Sequence, residues 1–331
     1  MAPFHEAALP TIFGARQGVA SFVAADALRG DASLNNVLRT AAVAVPALLA
    51  FSVSATAADP LYRPAAPSAL SPWAVVAEGW FGTSGNSGTE NVDPDNDHLT
   101  HWGGNLRANY MTAGGVSVQG DFSFERTNNN RGADEINDFH VLGLHVDMHT
   151  ANGLFGVIGG IARTSVEVNV VRSWFVGGEA QFGGPAQTFL VQGGWFDADF
   201  EEESIHRAWF VRGLARHYFM PGTSIQAEFS YLNGKQDSDD QTGRALNWGA
   251  RLDHQIGLIP GVNTGAFFAY RGRDFRSLND GPTDNGKFVE HTFMGGIRIT
   301  LGGDAGGLDR AGRLIDLPDI GGWTGAGPIV D

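Results

Sequence analysis

Three side chains on one short stretch have the chemistry to hold an ion: His145-x-Asp147-x-His149. Imidazole and carboxylate suit zinc or a similar ion. The period-two spacing puts all three on one wall of a strand. Alternate side chains on a flat strand start about 7 Å apart, wide for chelation, so the spacing favours polar lining over a metal centre. Asp93-x-Asp95-x-Asp97 has the opening of a calcium loop, which needs Gly at its sixth position and Glu at its twelfth. His98 and Gly104 stand there instead, so this is a solvated acidic loop, with at most weak divalent-cation binding. Ser and His residues occur, but no spacing marks a nucleophile and its base. The sequence therefore assigns no catalytic, cofactor-binding or metal residue, and the expectation is a chain that is neither an enzyme nor a cofactor carrier.

The elements that would position these residues are strands. Over Val116–Arg126, apolar or small residues at 116, 118, 120, 122 and 124 alternate with polar ones at 117, 119, 121, 123 and 125. Successive strand residues face opposite ways, so the stretch has one apolar and one wet wall. Similar segments follow from about residue 73 to residue 301, near 73–82, 100–111, 116–126, 139–149, 154–162, 171–182, 188–196, 207–219, 224–232, 244–256, 264–273 and 287–301. That is about twelve. Thr150-Ala151-Asn152-Gly153 is a strong hairpin signal. Connections alternate between long polar loops and short turns. An even strand number with sorted connections predicts a transmembrane antiparallel up-and-down β-barrel, lipid outside and lumen within. Trp73, Tyr110 and Phe219, near strand ends, fit interfacial girdles.

Bulk composition agrees. Of 331 residues 46 are Gly, none is Cys, 18% are charged and the net charge is −14. The absence of Cys excludes disulfides and thiolate metal sites, and the acidic balance argues against nucleic acid. No apolar run reaches the roughly 18 residues of a membrane helix, so a membrane-spanning chain of this kind has to be a closed sheet.

Upstream, Arg39 precedes an apolar core at 41–53, and Ala55-Thr56-Ala57 follows. This is the order of a cleavable signal peptide, cut after Ala57. About 38 residues stand ahead of Arg39, and the expectation is that translation starts at Val37 or Leu38. The domain reading is an upstream extension and signal peptide at 1–57, a Pro- and Ala-rich periplasmic lead-in at 58–72, a barrel at 73–301 and a Gly-rich C-terminal extension at 302–331, which either extends into the periplasm or folds into the lumen, a poorly ordered extension being the favoured reading.

The wet wall carries both signs. Asp121, Glu125, Glu179, Glu228, Asp253 and Glu290 oppose Arg107, Arg212, Arg216, Arg251, Arg271 and Arg298. These twelve are the candidate pore-lining residues. They could set a transverse field in a constriction or pair and fill the interior.

On this pattern the chain resembles the Gram-negative outer-membrane β-barrel proteins, loosely called porin-like. The run Met294-Gly295-Gly296-Ile297-Arg298-Ile299-Thr300-Leu301 is similar to that group's last-strand assembly signal, although about thirty residues follow it here. The resemblance implies residence in the outer membrane, lipid as a partner and passive diffusion of small hydrophilic solutes, with no cofactor. A closed barrel with a structural or surface-interaction role is the alternative. The oligomeric state is left open.

Overall fold

The computed structural model describes residues 71–323, apart from 89–97, 130–135, 152, 167–168, 200–204, 221, 237–240, 260–261, 279–286 and 304. The upstream extension, the export signal, the lead-in as far as residue 70 and the Asp93–Asp97 loop lie outside the described residues.

Twelve strands follow one another: β1 (Trp73–Gly88), β2 (His98–Met111), β3 (Val116–Asn129), β4 (Ile136–Thr150), β5 (Gly153–Val166) and β6 (Asn169–Gly183). The second half comprises β7 (Gln187–Ala198), β8 (His206–Met220), β9 (Thr223–Gln236), β10 (Gln241–Gln255), β11 (Asn263–Leu278) and β12 (Lys287–Leu301). Each pairs antiparallel with its neighbours in sequence. β1 also pairs with β12, from Val75↔Leu301 to Gly88↔Phe288, and the sheet closes on itself. Closure removes every free edge, so backbone polar groups are satisfied within the wall.

The alternation read from the sequence sets the faces. On β4, Leu142, Leu144, Val146 and Met148 are exposed on the outside, while Val141, His145 and Asp147 are buried inside. Phe122 is exposed too, so its apolar ring serves the exterior and no stacked second sheet covers it. This continuous apolar exterior is the surface of a transmembrane barrel. Trp73 and Tyr110 are outside near the short-turn end, with ring centroids 4.6 Å apart. Gly115 and Gly222 adopt φ of +80° and +73° in the tight turns, a region disfavoured for residues with a Cβ.

Two expectations need correction. The odd-numbered strands run two to six residues further toward the long-loop mouth than the hydrophobic pattern indicates, because backbone pairing continues after apolar alternation stops. β5 and β6 therefore approach so closely that only 167–168 separate them, and the sorting of connections is less sharp than the sequence implies. The second correction concerns the tail, where the favoured reading of a poorly ordered extension gives way to the lumen alternative. Residues 305–323 enter the barrel from the short-turn mouth and are built into the interior. They form helix α1 (Ala305–Arg310), an irregular run over 315–319 and a 3₁₀ turn at Ile320–Gly322.

Candidate functional site

The site is the lumen. Apolar residues fill its long-loop half, where Phe175, Phe196, Phe210, Leu232 and Phe275 point inward and pack with Ile320 and Trp323 of the tail. The Trp323 ring lies 5.6 Å from Phe196 and 5.1 Å from Phe210, and the residue is fully buried. The wet wall read from the sequence is thus only part of the inner surface. Lower down, Leu308 and Leu314 pack on Ala74 and Val76, and Ile315 packs on Leu154, Leu190 and Leu214.

Between these apolar contacts, polar side chains grip the tail at successive heights. Arg298 gives Asp309 two contacts, at 2.9 and 3.1 Å, and Arg216 adds one at 2.7 Å. The Asp316 carboxylate meets Arg107 and lies 3.4 Å from Arg216. Its carbonyl accepts from Arg212 at 2.9 Å and Gln192 at 3.1 Å. Asp319 receives Arg273 at 3.0 Å. Gln119 both donates to the Ile315 carbonyl, at 2.6 Å, and accepts from its N–H, at 3.1 Å. Of the tail's two arginines, Arg313 is wholly buried. It donates to Asn109 at 2.6 Å and to the carbonyls of Ser71 and Pro72 at 3.0 and 2.7 Å. Charge-assisted bonds of this kind, out of bulk water, are the strong ones.

All twelve candidate lining residues stand on the inward parity, and they divide into three groups. Arg107, Arg212, Arg216 and Arg298 reach the tail. A second group pairs within the wall: Arg251 with Asp253 at 2.7 Å, Arg271 with Glu125 at 2.6 Å, Arg212 with Glu228 at 2.7 Å, and His101 with Glu290 at 3.2 Å. Asp121 and Glu179 flank His145. The His-x-Asp-x-His stretch does not converge, since His149 turns to Ser117, with its Nε2 2.8 Å from the hydroxyl.

Sequence reasoning missed Glu78, which takes Arg251 at 2.7 Å and Arg107 at 3.0 Å, and Arg273. Both lie on the inward parity of their strands, which was the signal available. The tail residues Asp309, Arg313, Asp316 and Asp319 follow no strand period. Burial alone would raise the Asp309 carboxyl, but the Arg216 and Arg298 guanidiniums outweigh it and hold it below the ordinary carboxylate range.

Open space remains at the short-turn mouth, a cavity of about 750 Å³ lined by His149, Leu154, Gln181, His254, Thr300 and Arg310 among others.

No protein-family model matches the chain, and no curated protein matches its sequence. Solved structures similar to it include a KdgM porin, 9% identical over 67% of this chain and 97% of that one, with a TM-score of 0.39. An outer-membrane channel from Pseudomonas putida F1 is 14% identical over 73% and 98%, with a TM-score of 0.44. A BenF-like porin from Pseudomonas fluorescens Pf-5 is 8% identical over 71% and 100%, with a TM-score of 0.38.

Proposed function

We propose that this chain is an outer-membrane barrel of a Gram-negative bacterium that passes small hydrophilic solutes by diffusion, and that its own C-terminal segment closes the lumen. The observation that carries this reading is the tail's attachment, with Asp309, Asp316 and Asp319 paired to wall arginines inside the cylinder. About eight strands make a barrel that side chains alone can fill, and sixteen leave an aqueous channel. Twelve strands spaced about 4.8 Å apart and tilted about 40° place the backbone roughly 12 Å from the axis. That leaves surplus width, and the tail occupies it. The tail joins the wall after β12, next to Gly302 and Gly303. Removing it takes Asp309, Asp316 and Asp319 out of the lumen together with Arg310 and Arg313, and leaves Arg216 facing no wall carboxylate among the described ion pairs.

The apolar packing around Trp323 favours a second reading, a permanently closed barrel with a structural role. Planar-bilayer recording of the full chain and of a chain ending at Gly303 separates the two. Stable openings in the shortened chain support the channel. A shortened chain that folds and remains silent establishes the structural reading.

A further inference from the structure

Away from the tail's arginines, the inner wall holds a group of charges that its surroundings do not balance. His145 and Asp147 lie on β4, Glu179 on β6 and Asp121 on β3, and all four are at most 5% exposed. One ligand-type atom from each of His145, Asp147 and Glu179 lies within 4.8 Å of the others. β5 separates the two carboxylates, and the residue between them is Gly156, in register with Asp147 on one side and Glu179 on the other. A side chain at Gly156 would collide with the Asp147 carboxylate and the Val146 carbonyl. The glycine thus opens the gap through which Asp147 leans toward Glu179.

Within this group Asp147 Oδ1 is buried and has no hydrogen-bond partner. Among the described residues no arginine or lysine pairs with Asp121, Asp147 or Glu179. Three buried carboxylates around one imidazole leave excess negative charge even if the ring is protonated, and buried charges are ordinarily paired or coordinated to metal.

We propose that His145, Asp147 and Glu179 bind one divalent transition-metal ion, with zinc the ion that fits the donor set. One imidazole with carboxylate oxygens is a zinc-type environment, usually four-coordinate with bonds of about 2.0–2.2 Å. Ligand atoms around a tetrahedral ion with such bonds stand about 3.4 Å apart, so the widest pair, within 4.8 Å, closes by up to about 1.4 Å and the 2.6 Å pair opens by about 0.8 Å through side-chain rotation. Nδ1 of His145 now lies 2.6 Å from Glu179 Oε1, and the ion takes the place of that hydrogen bond. The other ring nitrogen, Nε2, lies 3.2 Å from Asp121 Oδ2 without hydrogen-bond geometry, so a small turn of the ring is needed to bring the two into line. Asp121 then acts as a positioning residue, holding the ring as carboxylates do behind metal-bound histidines. Gln192 and Gln119 steady Glu179 and Asp121 in turn, at 2.8 and 2.9 Å.

The test uses the full chain extracted from membranes, stripped with a chelator and dialysed against zinc sulfate. Zinc content by mass spectrometry is expected to be one tightly held ion per chain. Zinc-edge X-ray absorption is expected to show a single imidazole in an oxygen-rich shell. Asp147→Asn and Glu179→Gln should lose the ion while keeping the heat-modifiable gel migration of a folded barrel. Asp121→Asn should weaken affinity roughly 10- to 100-fold, and His149→Ala should leave it unchanged. A chain that holds no zinc, a shell with two or more imidazoles, or retention of zinc by folded Asp147→Asn and Glu179→Gln overturns the site. Should those two variants not fold, the absorption spectrum of the unaltered chain decides.

Discussion

Trp323→Ala is the most direct way to unseat the tail. The ring is fully buried and packs against Phe196 and Phe210 at the far end of the segment. Truncating a buried Trp to Ala costs about 3–5 kcal/mol. At 1.36 kcal/mol per decade, the undocked population rises by roughly two to three and a half orders of magnitude. Two readouts follow. In planar bilayers the open probability should rise until it saturates. In detergent, trypsin should cut after Arg313, which docking buries completely. When opening and closing are fast relative to cleavage, that rate follows the undocked population. Trp323→Phe is the control. The indole Nε1 has no hydrogen-bond partner, so a phenyl ring keeps most of the packing and gives up no bond. A folded Trp323→Ala chain with unchanged conductance and unchanged cleavage at Arg313 would refute the claim that this residue anchors a closing segment.

Asp309→Asn should act in the same direction, by about 3 kcal/mol, because it leaves the buried Arg216 and Arg298 with one carboxylate fewer; the tryptic rate at Arg313 measures it. The pH dependence has a definite sign. The Asp309 carboxyl is depressed when docked, so its contribution is complete above the free value of about 3.9 and is lost as pH falls through the lower docked value. Conductance should be flat between about pH 8 and about pH 5 and rise only below about pH 4; a rise near pH 6 would implicate histidines instead. On the outside, Leu144 is half exposed in the middle of β4. Leu144→Arg should cost about 2–4 kcal/mol if it faces the bilayer midplane, as read by urea unfolding in lipid vesicles, and almost nothing if it faces water.

The wall was readable because period-two alternation is local. Leu142, Leu144, Val146 and Met148 announce one face and His145 and Asp147 the other, without knowledge of any neighbour. Partner choice was not readable. Arg251 meets Glu78 and Arg271 meets Glu125 across the barrel, between strands far apart in sequence. No spacing rule reaches that far. Phe175, Phe196 and Phe210 stood on the inward parity in plain view, yet an expectation of a hydrated lumen passes over them. They make sense only with Trp323 in place. The tail's composition left two readings open and favoured the looser one. Glycines suggest loose chain, while the informative residues were the scattered Leu308, Leu314, Ile315, Ile320 and Trp323, whose partners are supplied by six different strands or more. The metal group was half visible, since His145 and Asp147 are neighbours, but Glu179 arrives from two strands away over Gly156.

The grip of Arg313 bears on how the cylinder is assembled. Its guanidinium takes carbonyls just ahead of the first strand and an amide oxygen on the second, while its own backbone hangs from the last. Those anchor points come together only after the first and last strands have zipped. In a ribbon with its seam still open those partners sit at the opposite edge from the strand that carries Arg313, so the full grip forms with the final pairing, and a docked tail marks a finished wall.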